Sequence, residues 1–426
     1  MRRFQAHLEH PFAESSLVTT SVPSELTATS SLPIAGFRAA GASPVRILLF
    51  DTTAHASPWP LFLEDLGGLA HENPDHLRYT FVDEARFLQQ PSFSDRATTR
   101  VLDWVTMNVR NRRRRAIAYR TASRLLGYRR HPVSSSDLNE ALMTTAADFR
   151  PNLVVVVMGF HIAPEVIAAI RDEIGAITVN YATDDPFNWR IGTPELIQSI
   201  PHYDVYATTK QAIIPDVKRA GGRDVRYVRF GYKSSVHFYD PPVLPDEQKR
   251  FSADVAFAGE ADADRLPFFR ALLRAIPHLN LALYGGLWNR DGELRRYFRG
   301  PVRGRDFRMA HGGAKVVVNL VRRENRDDHV MRTFEAPACG AFMLHERTES
   351  HLDIYKEGRD AAFFGSSEEL IDKVRYYLRH DHERERIRQA GYARTISAGH
   401  SYRNRLEQIL QAAWPHPKSI TPRLCV

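Results

Sequence analysis

Hydrophobic positions in the first half of the chain run together where a half-buried strand would alternate: "LVVVV", residues 153–157, has no polar member. A strand apolar at every position buries both faces, as strands of a parallel sheet do. The flanking stretches change period. "DLNEALMTTAADF" before it and "APEVIAAIRDEIG" after it carry apolar residues at helical spacing, the second ending on Gly175. The beat continues through "AITVNYATDDP", "YDVYATT", "KQAIIPDVKRAGG" and "VRYVRFGY". Upstream, "VRILLFD" from residue 45 opens the pattern and "LRYTFVDEA" supplies a second strand. Strands alternating with helices predict a parallel sheet covered on both faces.

The pattern breaks at "DPPVLPDEQKR", residues 240–250, which is proline-rich and polar and reads as a linker. It then restarts with "ADVAFAGE", a helix at "LPFFRALLRAI", "LNLALYGG", "AKVVVNLV", "AFMLHE" and "AAFFGSSEELIDKVRYYL", and a charged helix runs to about Leu410. The expected organisation is a disordered leader over 1–44, rich in Ser, Thr, Ala and Pro, an N-terminal domain over 45–240, a linker over 241–250, a C-terminal domain over 251–412 and a tail over 413–426. The fold class expected is α/β, with two Rossmann-like doubly wound domains facing a cleft.

Composition agrees with two cores: the chain has 426 residues and 43% hydrophobic positions. "LVVVVMGF", residues 153–160, falls far short of the roughly 20 apolar residues that cross a bilayer. The start, "MRRFQAHLEHPFAESS", carries charges and prolines where a signal peptide is apolar, so a cytoplasmic location is expected. Two cysteines, Cys339 and Cys425, suit a reducing compartment and exclude a disulfide scaffold. The formal charge of +8 concentrates in "RNRRRRAIAYRTASRLLGYRR", Arg110–Arg130. Such a cluster suits peripheral contact with anionic lipid headgroups or nonspecific nucleic-acid binding, set against a merely solvated helix face. No specific nucleic-acid motif accompanies it.

Several segments stand in order along the chain: "DFRPNLVVVVMGFHIAPEVI", "VNYATDDPFN", "DVAFAGEADADRLPFFRALL", "LYGGLWNR", "AKVVVNLVRRENRDDHVMRTFEAPACGAFMLHE" and "FFGSSEELIDKVRYYL". In these, over residues 45–412, the chain resembles glycosyltransferases of the two-Rossmann-domain (GT-B) type, in the CgeB-like group related to glycosyltransferase group 1. The resemblance implies a nucleotide-sugar donor on the second domain, an acceptor on the first, and hexosyl-type transfer in the cleft. It requires neither a bound metal nor a cofactor beyond the donor. Carbohydrate, lipid-linked or protein acceptors in surface polysaccharide or glycoconjugate assembly are the expected setting. Rival readings are a non-catalytic protein of this fold acting through its basic face, and a sugar-nucleotide epimerase.

A nucleotide sugar presents a ribose diol and two phosphates, so the donor site needs a carboxylate and positive ends. In "HVMRTFEAPACGAFML", residues 329–344, Glu335 can accept two hydroxyls, Arg332 can face the diphosphate, and Thr333 can cap or touch phosphate. The helix behind them would aim free backbone N–H groups at the phosphates. Glu335 as a plain helix-start carboxylate is the competing reading. Asp327 has the spacing to Glu335 of the acidic pair in glycosyltransferase group 1, a place near the transferring sugar that the resemblance implies. Gly259, after the first strand of the second domain, lets backbone approach a ligand, and Arg265 can reach the diphosphate. Gly285 permits a turn, and Trp288 stands for either a wall on the base or a core tryptophan. In the first domain "MGFHI" and "TDDPFN" end strands, so His161, Asp184 and Asp185 are candidates for the base that deprotonates an acceptor, the two aspartates preferred. Lys210 can face the same cleft. "DAD" at 262–264 lies in a loop, and no Walker loop, HExxH, GxSxG or metal-spaced Cys/His set occurs.

Overall fold

The structure, a computed structural model, describes residues 44–51, 61–89, 93–126 and 133–414. Almost all of the leader, Arg129, Arg130, Cys425 and nearly all of the tail lie outside the described residues.

Six parallel strands build the first sheet: β1 (Val45–Asp51), β2 (Leu77–Asp83), β3 (Leu153–Val157), β4 (Ile177–Ala182), β5 (Val205–Thr208) and β6 (Asp224–Tyr227), in the order β2-β1-β3-β4-β5-β6. Five make the second: β7 (Ala253–Ala258), β8 (Leu281–Tyr284), β9 (Ala314–Asn319), β10 (Met343–Glu346) and β11 (Ala362–Phe364), in the order β11-β10-β9-β7-β8. Both sheets are parallel and wound outward in two directions. The unbroken apolar runs follow from this. Along β7, Val255 and Phe257 enter one core while Ala256 and Ala258 enter the core on the opposite face. Along β3, Val155 and Val157 go one way and Val154 and Val156 the other. The carboxyl edge at each change of winding direction is where a doubly wound fold binds ligands. These edges lie between β1 and β3, and between β7 and β9.

Two boundaries differ from the sequence reading. The stretch read as a linker contains a helix, Pro245–Phe251. Proline opens it, and the Glu247 carboxylate accepts from the N–H groups of Val243 and Leu244, at 3.1 and 3.2 Å. The charged C-terminal helix is two helices, Asp381–Ser397 and Tyr402–Ala413. The second returns to the first domain, where Tyr402, Leu406 and Ile409 join the core under β1 and β4. An amphipathic helix docks where its apolar stripe is buried, and sequence order does not reveal which sheet offers that surface.

The chain thus crosses between lobes twice, and the crossings lie side by side. Tyr232 N–H donates to the His400 carbonyl (3.1 Å) and Tyr402 N–H to the Tyr232 carbonyl (2.9 Å). A third connection comes from the helices Phe93–Asn108 and Arg112–Leu125. Met107 enters the second domain's core, and Ala263 N–H donates to the Thr106 carbonyl at 3.2 Å.

Candidate active site

The loops after β7 and β8 are zipped together by backbone. Gly259 N–H donates to the Tyr284 carbonyl and Ala261 N–H to that of Gly286, at 2.8 and 2.9 Å. Gly285 sits at φ +113, and a Cβ there would lie 2.4 Å from the Gly259 carbonyl oxygen. Position 285 therefore requires glycine on both counts. Trp288 is fully buried between Phe257 and Phe269 and donates Nε1–H to the Gly259 carbonyl at 2.7 Å. It cannot stack on a base. Its indole instead holds the loop that carries Gly259.

Above that loop two guanidinium groups converge. Arg265 is buried, donates to the carbonyls of Glu260 (2.7 Å) and Leu320 (3.4 Å), and lies over the Phe257 ring. Arg332 lies over the same ring, and its Nε is buried without a hydrogen-bond partner. A Cβ at Gly259 would come within 3.3 Å of Arg332 Nη2, so the missing side chain leaves the guanidinium open to a ligand. Burial, and then the Arg265 charge, push Arg332 down to about 10. Arg265 also pairs with Asp262 at 3.5 Å, while Arg332 keeps an unpartnered Nε; two cations so placed suit a compact polyanion.

Glu335, 8% exposed, stands three residues beyond Arg332. Burial pushes its carboxyl up to about 7, against the pull of Arg332. Its carboxylate stands 3.8 Å from His237 Nε2. His237 Nδ1 accepts the Lys233 N–H (3.0 Å), which places the imidazole proton on Nε2, facing Glu335. Burial, with His311, Arg308 and Lys233 nearby, lowers His237 to about 3, so the ring is neutral. His237 escaped the sequence reading because it follows the last strand of its lobe without a motif.

Thr333 is placed differently from expectation. Its hydroxyl accepts the Val330 N–H (3.1 Å) and bonds to Asn319 and His351, wholly inside the lobe. The helix Arg332–Ala338 does not offer free amides over its first turn either. The N–H groups of Thr333, Phe334 and Glu335 already donate to the carbonyls of Val330, Met331 and Met331. An anion at this helix start would therefore have to be met by side chains.

Asp184, Asp185 and Asp327 come together, but as a lock between the lobes. Arg322 donates to Asp184 (2.8 Å) and Asp327 (3.2 Å), and Asn325 Nδ2 donates to both carboxylates at 2.8 Å. Arg326 grips Asp185 with two bonds, 2.6 and 2.9 Å, and also bonds Asp216. Lys210, fully buried, pairs with Asp327 at 2.8 Å. Arg115 adds a buried bond to Glu324 and one to Asp264 at 3.1 Å. These bonds commit Asp184, Asp185 and Asp327 to pairing the lobes.

His161 stands apart from the lock. The buried Glu84 carboxylate accepts from its Nδ1 at 2.8 Å, and the ring remains partly open to solvent. Fixing the proton on Nδ1 leaves Nε2 as a lone-pair acceptor, the arrangement a general base needs. Nearby, a groove of about 530 Å³ runs between the Arg-rich helix and residues 186–198, lined by Arg120, Arg124, Phe187 and Trp189. Thr193, on its wall, donates to the Phe160 carbonyl at 3.4 Å, beside His161. Among the described residues no group of three or more His, Cys, Asp or Glu side chains is arranged to hold a metal ion.

Residues 265–411 match the family model described as glycosyl transferase-like. By sequence, no curated protein matches the chain. Among solved structures, sucrose-phosphate synthase from Thermosynechococcus elongatus is similar at 12% identity and TM-score 0.58, over 86% of this chain and 98% of that one. A glycosyltransferase from Rickettsia africae matches at 8% identity and TM-score 0.55, over 87% and 98%. HepE of Anabaena, solved in complex with UDP and glucose, matches at 13% identity and TM-score 0.54, over 86% and 98%. At such identities the likeness is one of fold. The chain has the two-domain Rossmann-like GT-B fold, and its second lobe carries a glycosyl transferase-like region.

Proposed function

We propose that the protein transfers a sugar from a nucleoside diphosphate donor to an acceptor hydroxyl. The observation that carries this reading is the grouping at the end of β7: two guanidinium groups, Arg265 and Arg332, at a side-chain-free Gly259, with the Glu335 carboxylate adjoining. That set complements a diphosphate and a vicinal diol together. HepE, of the same fold, holds UDP and glucose, and the glycosyl transferase-like match covers Arg265, Arg332 and Glu335. In the reaction the bond between the anomeric carbon and the diphosphate oxygen breaks. The acceptor oxygen bonds that carbon, its proton passes to His161 Nε2, and Arg265 and Arg332 take up the charge left on the diphosphate. Because the site supplies two cations of its own, we assign the transfer no metal ion and no further cofactor. We place it in the cytoplasm, in surface polysaccharide or glycoconjugate assembly by a CgeB-like enzyme.

Thermal denaturation with UDP, GDP and ADP, and then with their sugars, tests this. A ligand held at 100 times its dissociation constant adds about 2.7 kcal/mol of stability. Glu335→Ala should abolish that shift, and donor turnover should persist in a chelator. Equal stabilisation of wild type and variant would remove the assignment of the site.

A further inference from the structure

The helices Phe93–Asn108 and Arg112–Leu125 are joined by a three-residue turn and packed through Leu102, Val105 and Tyr119. Their outward faces are unusual in two ways. On the first helix Val101 and Trp104 stand 45% and 62% exposed, and on the second Ile117 stands 63% exposed. Around Ile117, at helical spacing, lie the exposed Arg113, Arg114, Arg120 and Arg124, none of which forms an ion pair within the described residues. Their neighbours Arg112 and Arg115 do find carboxylates, on Asp264 and Glu324. The one acidic residue in 97–126, Asp103, is turned inward onto Arg290 at 2.6 Å.

We propose that this helix pair is a docking surface for a bilayer containing anionic lipid. Unpaired cations with no acid among them complement a negative headgroup layer. The apolar side chains between them decide the class of partner. Nucleic acid would engage the arginines but gain little from Val101 and Ile117, whereas a bilayer interface accepts tryptophan at headgroup depth and aliphatic side chains just beneath. The groove lined by Arg120, Arg124 and Trp189 adjoins this face, so docking brings that groove to the lipid surface. The proposal stands whether or not the transfer reading holds.

The test is flotation of the full chain with vesicles of phosphatidylcholine mixed with phosphatidylglycerol, against phosphatidylcholine alone. The protein should float only with the anionic vesicles and be released by high salt. Arg113→Gln with Arg114→Gln should lower partitioning roughly thirty-fold, from the attraction of two surface cations. Trp104→Ser with Ile117→Ser should lower it independently, at an unchanged melting temperature. Acyl-chain bromines should quench emission from wild type more than from Trp104→Phe. Absence of flotation, or flotation indifferent to both pairs of substitutions, overturns the proposal. So does binding to a DNA duplex at the same salt that is as tight as binding to vesicles and survives Trp104→Ser with Ile117→Ser.

Discussion

Glu335 shows how burying one carboxyl makes stability depend on pH. Its carboxyl ionises at about 7 in the folded protein, from an ordinary 4.5, because burial disfavours the charge. Between those values the folded state holds a proton that the unfolded chain has released, so stability falls as pH rises from about 4.5 to 7. The full cost is about 3 kcal/mol. Glu335→Gln should therefore melt higher than wild type at pH 8, with the gap closing at pH 5, and should bind UDP weakly at both. A gap independent of pH in urea titrations would refute the account. From the residues alone Glu335 read equally as a helix-start carboxylate; its burial beside Arg332 came only with the fold. Sequence left Trp288 open between base wall and core and Thr333 between cap and phosphate contact, because the rings and polar groups that claim them lie far off in sequence. For Asp184 and Asp185 the claimants are Arg322, Asn325 and Arg326, about 140 residues away.

Strands and the ends of strands were the most legible elements, since a parallel strand buried on both faces has no polar position to blur it. The amphipathic ones were less so. Tyr402–Ala413 has an apolar stripe that suits either lobe, and only packing against β1 and β4 assigns it to the first. At this scale the loops after β7 and β8 rest on paired backbone. A methyl at Gly285 would meet the Gly259 carbonyl and force a left-handed conformation on a residue with a side chain. Gly285→Ala should cost on the order of 2 to 4 kcal/mol, by the usual expense of strain plus overpacking. It should also weaken UDP binding more than Gly292→Ala, where a Cβ meets nothing. Calorimetry on the two variants, with melting curves as the stability control, separates loop geometry from general damage. Trp288→Phe, which keeps one aromatic ring but drops the bond to the Gly259 carbonyl and leaves a cavity, should act in the same direction by at least about 1 kcal/mol.

Across the whole molecule the lobes are joined by two adjacent chain crossings and by a buried polar lock, and such a lock is costly to break from one side only. Lys210→Met removes one of the two cations that Asp327 faces, at 2.8 Å, leaving Arg322, and should destabilise by about 3 kcal/mol, the low end for a broken buried pair. Adding Asp327→Asn should recover much of that loss, because no buried charge is then left over. A double variant no better than the single one in urea unfolding would show that the pair does not act as a unit. The same burial sets the response to acid. Burial lowers His237 and His400 to about 3 and His311 and His351 to about 4, and it lowers His329 and His345 as well. Below 6.5 the unfolded chain takes up protons that the folded one refuses, so this stability is present above 6.5 and is lost as pH falls. Glu335 and Asp65, raised to about 7 and about 6 by burial, oppose the trend, as do Asp103 and Glu324, also raised by burial. The imidazoles outnumber the raised carboxyls, so net stability should fall as pH drops below 6.5. Acid unfolding should therefore centre above the carboxylate range, and urea midpoints should fall steeply from pH 7 to pH 5. A flat profile over that interval would mean that these imidazoles are not held neutral by the fold.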